Sequence, residues 1–413
     1  DYKVQVSFDL QGTQFTPNEY KPYSQKWEDV DKQLLKPENT QFGEHLSLTN
    51  PFRPETKQAY NSEMNFEEKI ICAFQVLKKK MAWNGRYQLY SKELEKVIKK
   101  GSGSNADLNF ILISILKDFG LEAYPVVMSR RSSGMLPYNF PSLQKLNTFF
   151  VTIHDINKQK YVFLDSSMDV PAFNILPLEL SVNKARILSR KEKEENKWVN
   201  VMTLSNNKSF MKIDARIEGD QVKGHRSTVL YGQEAIEYQA NENHKQDNLV
   251  SNPENKVSQK EKLTVTNLKV KKQENDWALI EEEFDFVLQA DRTDDHLYIN
   301  PMLFPQLKSN PFIQTERVLP IEFPYPYKFT MLSTLTLPEG YEVEELPQSQ
   351  SIRSEGDGLQ CKYMIQQQGN TILLNYVFHL KGYIFLSEQY KQLQELWAKV
   401  IEKNNALIVL KKI

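Results

Sequence analysis

Few side chains in this sequence could act as a nucleophile or a base near neutral pH. There are two cysteines, Cys72 and Cys361, and six histidines in 413 residues. Cys72 lies in Glu67-Glu-Lys-Ile-Ile-Cys-Ala-Phe-Gln-Val-Leu77, which has helical periodicity, and Cys361 alternates within a strand. Both positions suit small buried hydrophobes, and two cysteines exclude a disulfide framework or a multi-cysteine zinc site. More suggestive is the turn Lys100-Gly-Ser-Gly-Ser104 leading into Asn105-Ala-Asp107. A helix N-terminus presents unsatisfied N–H groups and the positive end of its dipole, which favour a thiolate. The base and its orienting carboxylate would then come from the strands that follow. Ser102 or Ser104 is an alternative nucleophile, with His154 the nearest histidine in sequence. However, His154 stands six residues beyond Thr148, about 20 Å along a strand at roughly 3.3 Å per residue. Helix capping is the simpler role for Ser102, Ser104, Asn105 and Asp107.

Periodicity outlines the elements that must position these groups. Helices are expected over about 65–83, over 92–99 ending at Gly101, and over 105–119 closed by Gly120. Strands follow at 122–129, 148–154 and 160–165. Beyond about residue 198 the pattern turns to strands, at 210–217, 262–270, 277–287, 329–337, 359–366 and 371–380. Helices near 232–239 and 387–403 and a short strand at 406–410 complete this half. The stretch 241–262, rich in Asn, Gln, Lys and Glu, reads as a linker or loop. The fold class is therefore α+β, with a second, β-rich part ending in a helix and short strand. Expected domains are 1–60 (the end of a preceding β-rich domain plus a lead-in), 61–200 and 201–413.

Composition narrows the function classes. With 52 basic and 53 acidic side chains, the net charge of −1 argues against a nucleic-acid binder. There is no apolar run of 18 residues, so no membrane span is expected, and no cofactor is expected. The first residue is not Met and Tyr2–Leu10 already alternates like a strand, which suggests a cut in a longer or processed chain.

The block Asn105–Val126, with its preceding Gly-rich turn, its apolar helix and its Gly120-Leu-Glu-Ala123 ending, resembles the core motif of the transglutaminase-like (papain-related) superfamily. Leu146-Asn-Thr-Phe-Phe-Val151 is similar to that family's histidine strand, and Lys160-Tyr-Val-Phe-Leu-Asp-Ser-Ser167 to its aspartate strand. The resemblance covers roughly residues 60–170. Lys21–Trp27, Tyr298–Met302, Asn310–Phe312 and Pro338–Pro347 also resemble exported Bacteroidetes proteins that set such a domain between β-rich domains of unknown function. The resemblance implies a periplasmic or cell-envelope location. It also places the family's cysteine on Asn105, its histidine on Thr148 and its aspartate on Asp165. Two of three catalytic groups are then absent: an amide forms no thiolate and a threonine hydroxyl is no base near pH 7.

The function implied is a catalytically degenerate domain with a peptide- or glycan-binding or scaffold role, with an envelope protein as another possible partner. Candidate ligand-binding residues are Asp107, Ser104, Trp83, Tyr124 and Arg130. The alternative is an active cysteine protease, transglutaminase or amidase with another nucleophile, Cys72 being the only thiol in that half. Asp291-Arg-Thr-Asp-Asp-His296 has enough oxygen ligands to raise the question of calcium, but its spacing fits no EF-hand and suits an exposed turn.

Overall fold

The computed structural model describes residues 12–17, 19–22, 26–189, 197–247, 263–273 and 276–413. The chain forms two compact units, Asp1–Leu204 and Ser205–Ile413. Tyr2–Leu10 lies outside the described residues; Gly12–Thr16 pairs antiparallel with Glu19–Pro22.

The first unit contains helices α1 (Trp27–Leu35), α2 (Arg53–Ala59), α3 (Phe66–Lys80), α4 (Leu94–Lys100) and α5 (Asn105–Asp118). An antiparallel sheet follows, built from β1 (Glu122–Met128), β2 (Thr148–Asp155), β3 (Lys160–Leu164), β4 (Ala185–Ile187) and β5 (Lys197–Val199) in the order β3-β2-β1-β4-β5. A reciprocal capping box starts α3: Glu68 N–H donates to Asn65 Oδ1, and Asn65 N–H donates to Glu68 Oε2. Every residue of α5 from Asn105 to Leu116 is buried, where one apolar face was expected. The helix packs against α3, β1 and β2, so it is a core helix enclosed on all sides.

Residues 26–60, read from sequence as a lead-in, belong to this core. Trp27, Val30, Leu34, Phe42, Leu46 and Phe52 share one hydrophobic cluster with α3, α5 and Phe149. A buried ion pair ties α1 to β4: Arg186 Nε donates to Asp31 Oδ1 at 2.8 Å and Nη2 to Oδ2 at 2.6 Å. The Arg186 guanidinium also lies 5.2 Å from the Trp198 ring centre, and Trp27 meets Trp198 edge-on.

The second unit is dominated by an eight-stranded sheet. Its strands are β6 (Lys208–Glu218), β7 (Gln221–Tyr231), β8 (Leu263–Gln273), β9 (Asp276–Gln289), β10 (Tyr327–Thr336), β11 (Gln350–Arg353), β12 (Leu359–Gln368) and β13 (Thr371–Leu380), ordered β8-β9-β7-β6-β10-β13-β12-β11. Only the central pair β6–β10 is parallel among these contacts. In β6, Met211, Ile213, Ala215 and Ile217 are buried while Lys212, Asp214, Arg216 and Glu218 are exposed, the period-2 pattern of a sheet with one covered face. Helix α6 (Gln233–Asp247) runs past the expected 232–239; residues 248–262 of the expected linker lie outside the described residues. Helix α7 (Tyr390–Asn404) packs Leu393, Trp397 and Val400 into the same core as β10, β12 and β13. The last strand, Ile408–Lys412, joins a small sheet with His296–Ile299 and Tyr341–Glu345.

Candidate functional site

The start of α5 is set by two glycines. Gly101 caps α4 with φ +69°, a left-handed turn that suits glycine. At Gly103 an added Cβ would come within 2.5 Å of Val97 Cγ1 and 2.9 Å of Asp107 Cβ, so the turn needs a residue without a side chain. Ser104 is the N-cap. Its Oγ donates to Asp107 Oδ2 at 2.7 Å, and the Ser104 N–H donates to the same oxygen at 2.8 Å. The hydroxyl is therefore engaged in capping, and Asn105 occupies the first helical position rather than the cap.

The three positions that the sequence resemblance sets against a catalytic triad lie close together and are almost wholly buried: Asn105 is 0%, Thr148 0% and Asp165 1% exposed. Asn105 Nδ2 donates to Thr148 Oγ1 at 2.8 Å and to the Phe149 carbonyl at 2.9 Å, while its Oδ1 accepts from the Gln88 N–H at 2.8 Å. One helical turn further on, Asn109 is equally buried. Its Nδ2 donates to the Phe149 carbonyl (2.8 Å) and to Asp165 Oδ2 (3.0 Å); its Oδ1 accepts from the N–H (3.1 Å) and hydroxyl (2.5 Å) of Ser166. The Ser167 N–H donates to Asp165 Oδ1 at 2.9 Å, its hydroxyl bonds the same oxygen, and Tyr87 Oη approaches Ser167 Oγ at 3.2 Å. Burial pushes the Asp165 carboxyl above its ordinary range, and hydrogen bonds from Asn109, Ser167 and Asn105 oppose that shift.

No thiol or imidazole joins this network among the described residues. Cys72 Sγ donates to the Ala59 carbonyl at 3.5 Å, and burial pushes its thiol up. His154 sits at the other end of β2, paired with Glu122 in the sheet while Thr148 pairs with Met128. Its ring stacks on Tyr161 at 4.7 Å. Serine rescue through His154 therefore fails on distance.

Beside the network lies a cleft of about 640 Å³. Arg86, Tyr87, Gln88, Asp107, Arg130 and Asn147 are among its lining residues, but Asn105, Thr148 and Asp165 are not. The segment carrying Tyr87 and Gln88 thus bonds the buried network and also faces the cleft. Arg130 holds its place through its N–H to Asn147 Oδ1 at 2.9 Å, and its Nε is buried with no hydrogen-bond partner among the described residues. Trp83 packs 5.1 Å from Tyr87 and donates to the Arg86 carbonyl at 3.1 Å, supporting the cleft without lining it. Tyr124, proposed from sequence as a ligand contact, is placed elsewhere. Alternation in β1 sends Ala123 and Val127 into the α5 core, and Tyr124, Val126 and Met128 into a separate cluster. Its hydroxyl donates to Glu122 Oε2 at 3.0 Å.

The sequence reading missed Asn109, Ser166 and Ser167. An amide inside the apolar run Leu108-Asn-Phe-Ile-Leu112, four residues after Asn105, was the available signal, because buried polar groups need partners. At Asp291–His296, His296 Nε2 instead lies 3.0 Å from Glu344 Oε2. No group of three or more metal-ligating side chains occurs among the described residues, and no helix there is long and apolar enough to cross a membrane.

Residues 295–410 match a family described as a domain of unknown function with a solved structure (DUF3858). No curated protein matches the sequence significantly. A crystal structure from Parabacteroides distasonis ATCC 8503, described as a "putative protease", superposes with a TM-score of 0.54 at 11% identity. The alignment covers 98% of this chain and 63% of that one. At this identity the likeness is one of fold, and it extends over nearly the whole chain: a mixed helix-and-sheet part and a β-rich part ending in a helix.

Proposed function

We propose that the first unit is a catalytically degenerate transglutaminase-like (papain-type) domain that binds a peptide or glycan in the cleft beside its former active centre. The carrying observation is the direct bond from Asn105 to Thr148. Groups from the aligned nucleophile and base positions meet in space, but as an amide and a hydroxyl satisfied by one another. Asp165, the aligned carboxylate, is held by Asn109 and Ser167 and has no imidazole to orient among the described residues. Such a network fixes α5 against β2 and the 165–167 turn and leaves recognition to the neighbouring cleft. Tyr87 supplies an aromatic face there, with Arg130 and Asp107 as charged groups on its wall. An exported, periplasmic or envelope setting belongs to the same proposal and rests on the sequence resemblance.

The test is fluorescence anisotropy with two probes, a fluorescein-labelled casein digest and a labelled muropeptide digest. One of them should bind saturably, and Tyr87→Ala or Arg130→Ala should each weaken that binding by about tenfold, the loss of one good contact. Absence of saturable binding by both probes, or binding unaffected by either substitution, would contradict the cleft as the recognition site.

A further inference from the structure

The cleft of the first unit is walled by three cationic side chains, Arg86, Lys92 and Arg130, and two carboxylates, Glu93 and Asp107. Both carboxylates are already engaged. Glu93 Oε1 lies 2.5 Å from Nζ of Lys96, which does not line the cleft, and Asp107 Oδ2 accepts from the hydroxyl and the N–H of Ser104. The cations are not matched in this way. Arg86 and Lys92 are exposed, and neither has a carboxylate within 4 Å among the described residues. Arg130 Nη1 stands 3.9 Å from Glu179 Oε1, and that carboxylate also bonds the Ser132 hydroxyl. The segments that carry these cations are tied down. The Arg86 carbonyl accepts from the Asn105 N–H at 3.0 Å, and the Ser91 N–H, beside Lys92, donates to the Gln41 carbonyl at 3.1 Å.

Cations left uncompensated along a concave wall raise the local potential and draw in negative charge, whatever their separation from one another. A carboxylate is the group that guanidinium and ammonium ions match. The rest of the lining is not sugar-like in its demands: Leu89, Val97 and Leu146 offer aliphatic surface, which suits apolar side chains better than a run of ring hydroxyls. A neutral glycan would also leave all three cations without a counter-charge. We infer that the cleft takes an acidic peptide, its apolar side chains against Leu89, Val97 and Leu146 and its carboxylates toward Arg86, Lys92 and Arg130. This gives the cleft a ligand class and rests on its reading as the recognition site.

The full chain would be titrated, by anisotropy, with two rhodamine-labelled, amidated peptides. One carries glutamates and leucines among serines and glycines; its twin has glutamine at every glutamate. The acidic peptide should bind about tenfold more tightly than its twin at about 50 mM salt, which a few exposed ion pairs can supply. The gap should fall to about twofold at about 500 mM salt. Arg86→Gln and Lys92→Gln should each narrow the low-salt gap by about threefold and leave the twin's affinity unchanged. Lys99→Gln, on α4 but outside the lining, should alter neither peptide. Equal, salt-independent affinities for the twins, or tighter binding of a labelled oligogalacturonate than of the acidic peptide, would overturn the inference and leave the cleft as a recognition site for another ligand. Saturable binding of neither twin would also overturn it. If the casein and muropeptide probes are silent as well, the reading of the cleft falls with it.

Discussion

Replacing Asn109 by alanine is expected to lower the stability of the first unit by about 3–5 kcal/mol, more than almost any other single substitution there. The side chain is fully buried and serves four partners: Asp165 Oδ2, the Phe149 carbonyl, and the N–H and hydroxyl of Ser166. The Phe149 carbonyl keeps its bond from Asn105, but the other three groups lose theirs inside a region that excludes water. The Asp165 carboxylate suffers most, since burial already raises the cost of its charge. Urea unfolding followed by tryptophan fluorescence measures the effect. A loss under about 1 kcal/mol would mean that the network tolerates an unpaired carboxylate oxygen at Asp165 Oδ2, contrary to its role as the brace between α5 and the 165–167 turn.

The second large effect is expected at Asp31. Asp31→Ala leaves the Arg186 guanidinium buried without its main counter-charge, with Glu28 at 3.4 Å the one remaining acidic partner among the described residues. Breaking a buried pair from one side typically costs about 3–5 kcal/mol, whereas replacing both members by apolar residues of similar size is often neutral or stabilising. The single substitution should therefore destabilise strongly, and Asp31→Leu combined with Arg186→Met should recover most of the loss. Trp27 and Trp198 adjoin the pair, so their fluorescence reports the transition directly. If the double variant is no more stable than the single one, packing rather than charge accounts for the defect.

The elements that carry the triad positions were legible because their periodicity is strong. The boundaries expected for α5, β1, β2 and β3 lie within one residue of those observed. Other parts were harder to read for identifiable reasons. Strand β7 contains Gly224-His-Arg-Ser-Thr228 and alternates poorly, yet it pairs along its full length with both β6 and β9; register with its neighbours, not its own pattern, makes it a strand. The core contribution of residues 26–60 was hidden because its apolar residues are widely spaced and interrupted by prolines. Their common burial follows from tertiary packing and from the long-range pair Asp31–Arg186. Asn105 and Asp165 were singled out by the resemblance of the blocks 105–126 and 160–167 to a known motif. The support that Asn109, Ser166 and Ser167 provide depends on chain segments 57 residues apart and leaves no local signature.

The proposed degenerate centre requires that the chain hold no activated thiol. The most direct measurement is the pH dependence of iodoacetamide labelling at Cys72 and Cys361, resolved by mass spectrometry on the native chain. Burial raises both thiols above the ordinary value near 8.5, Cys361 to about 11. Less thiolate is then present at neutral pH than in free cysteine, so both should label more slowly than free cysteine at pH 7, with rates still climbing above pH 9. Rapid labelling of Cys72 that is already independent of pH at neutrality would reveal a low-pKa thiolate. That result would contradict the degenerate centre and favour an active cysteine enzyme with its nucleophile on α3.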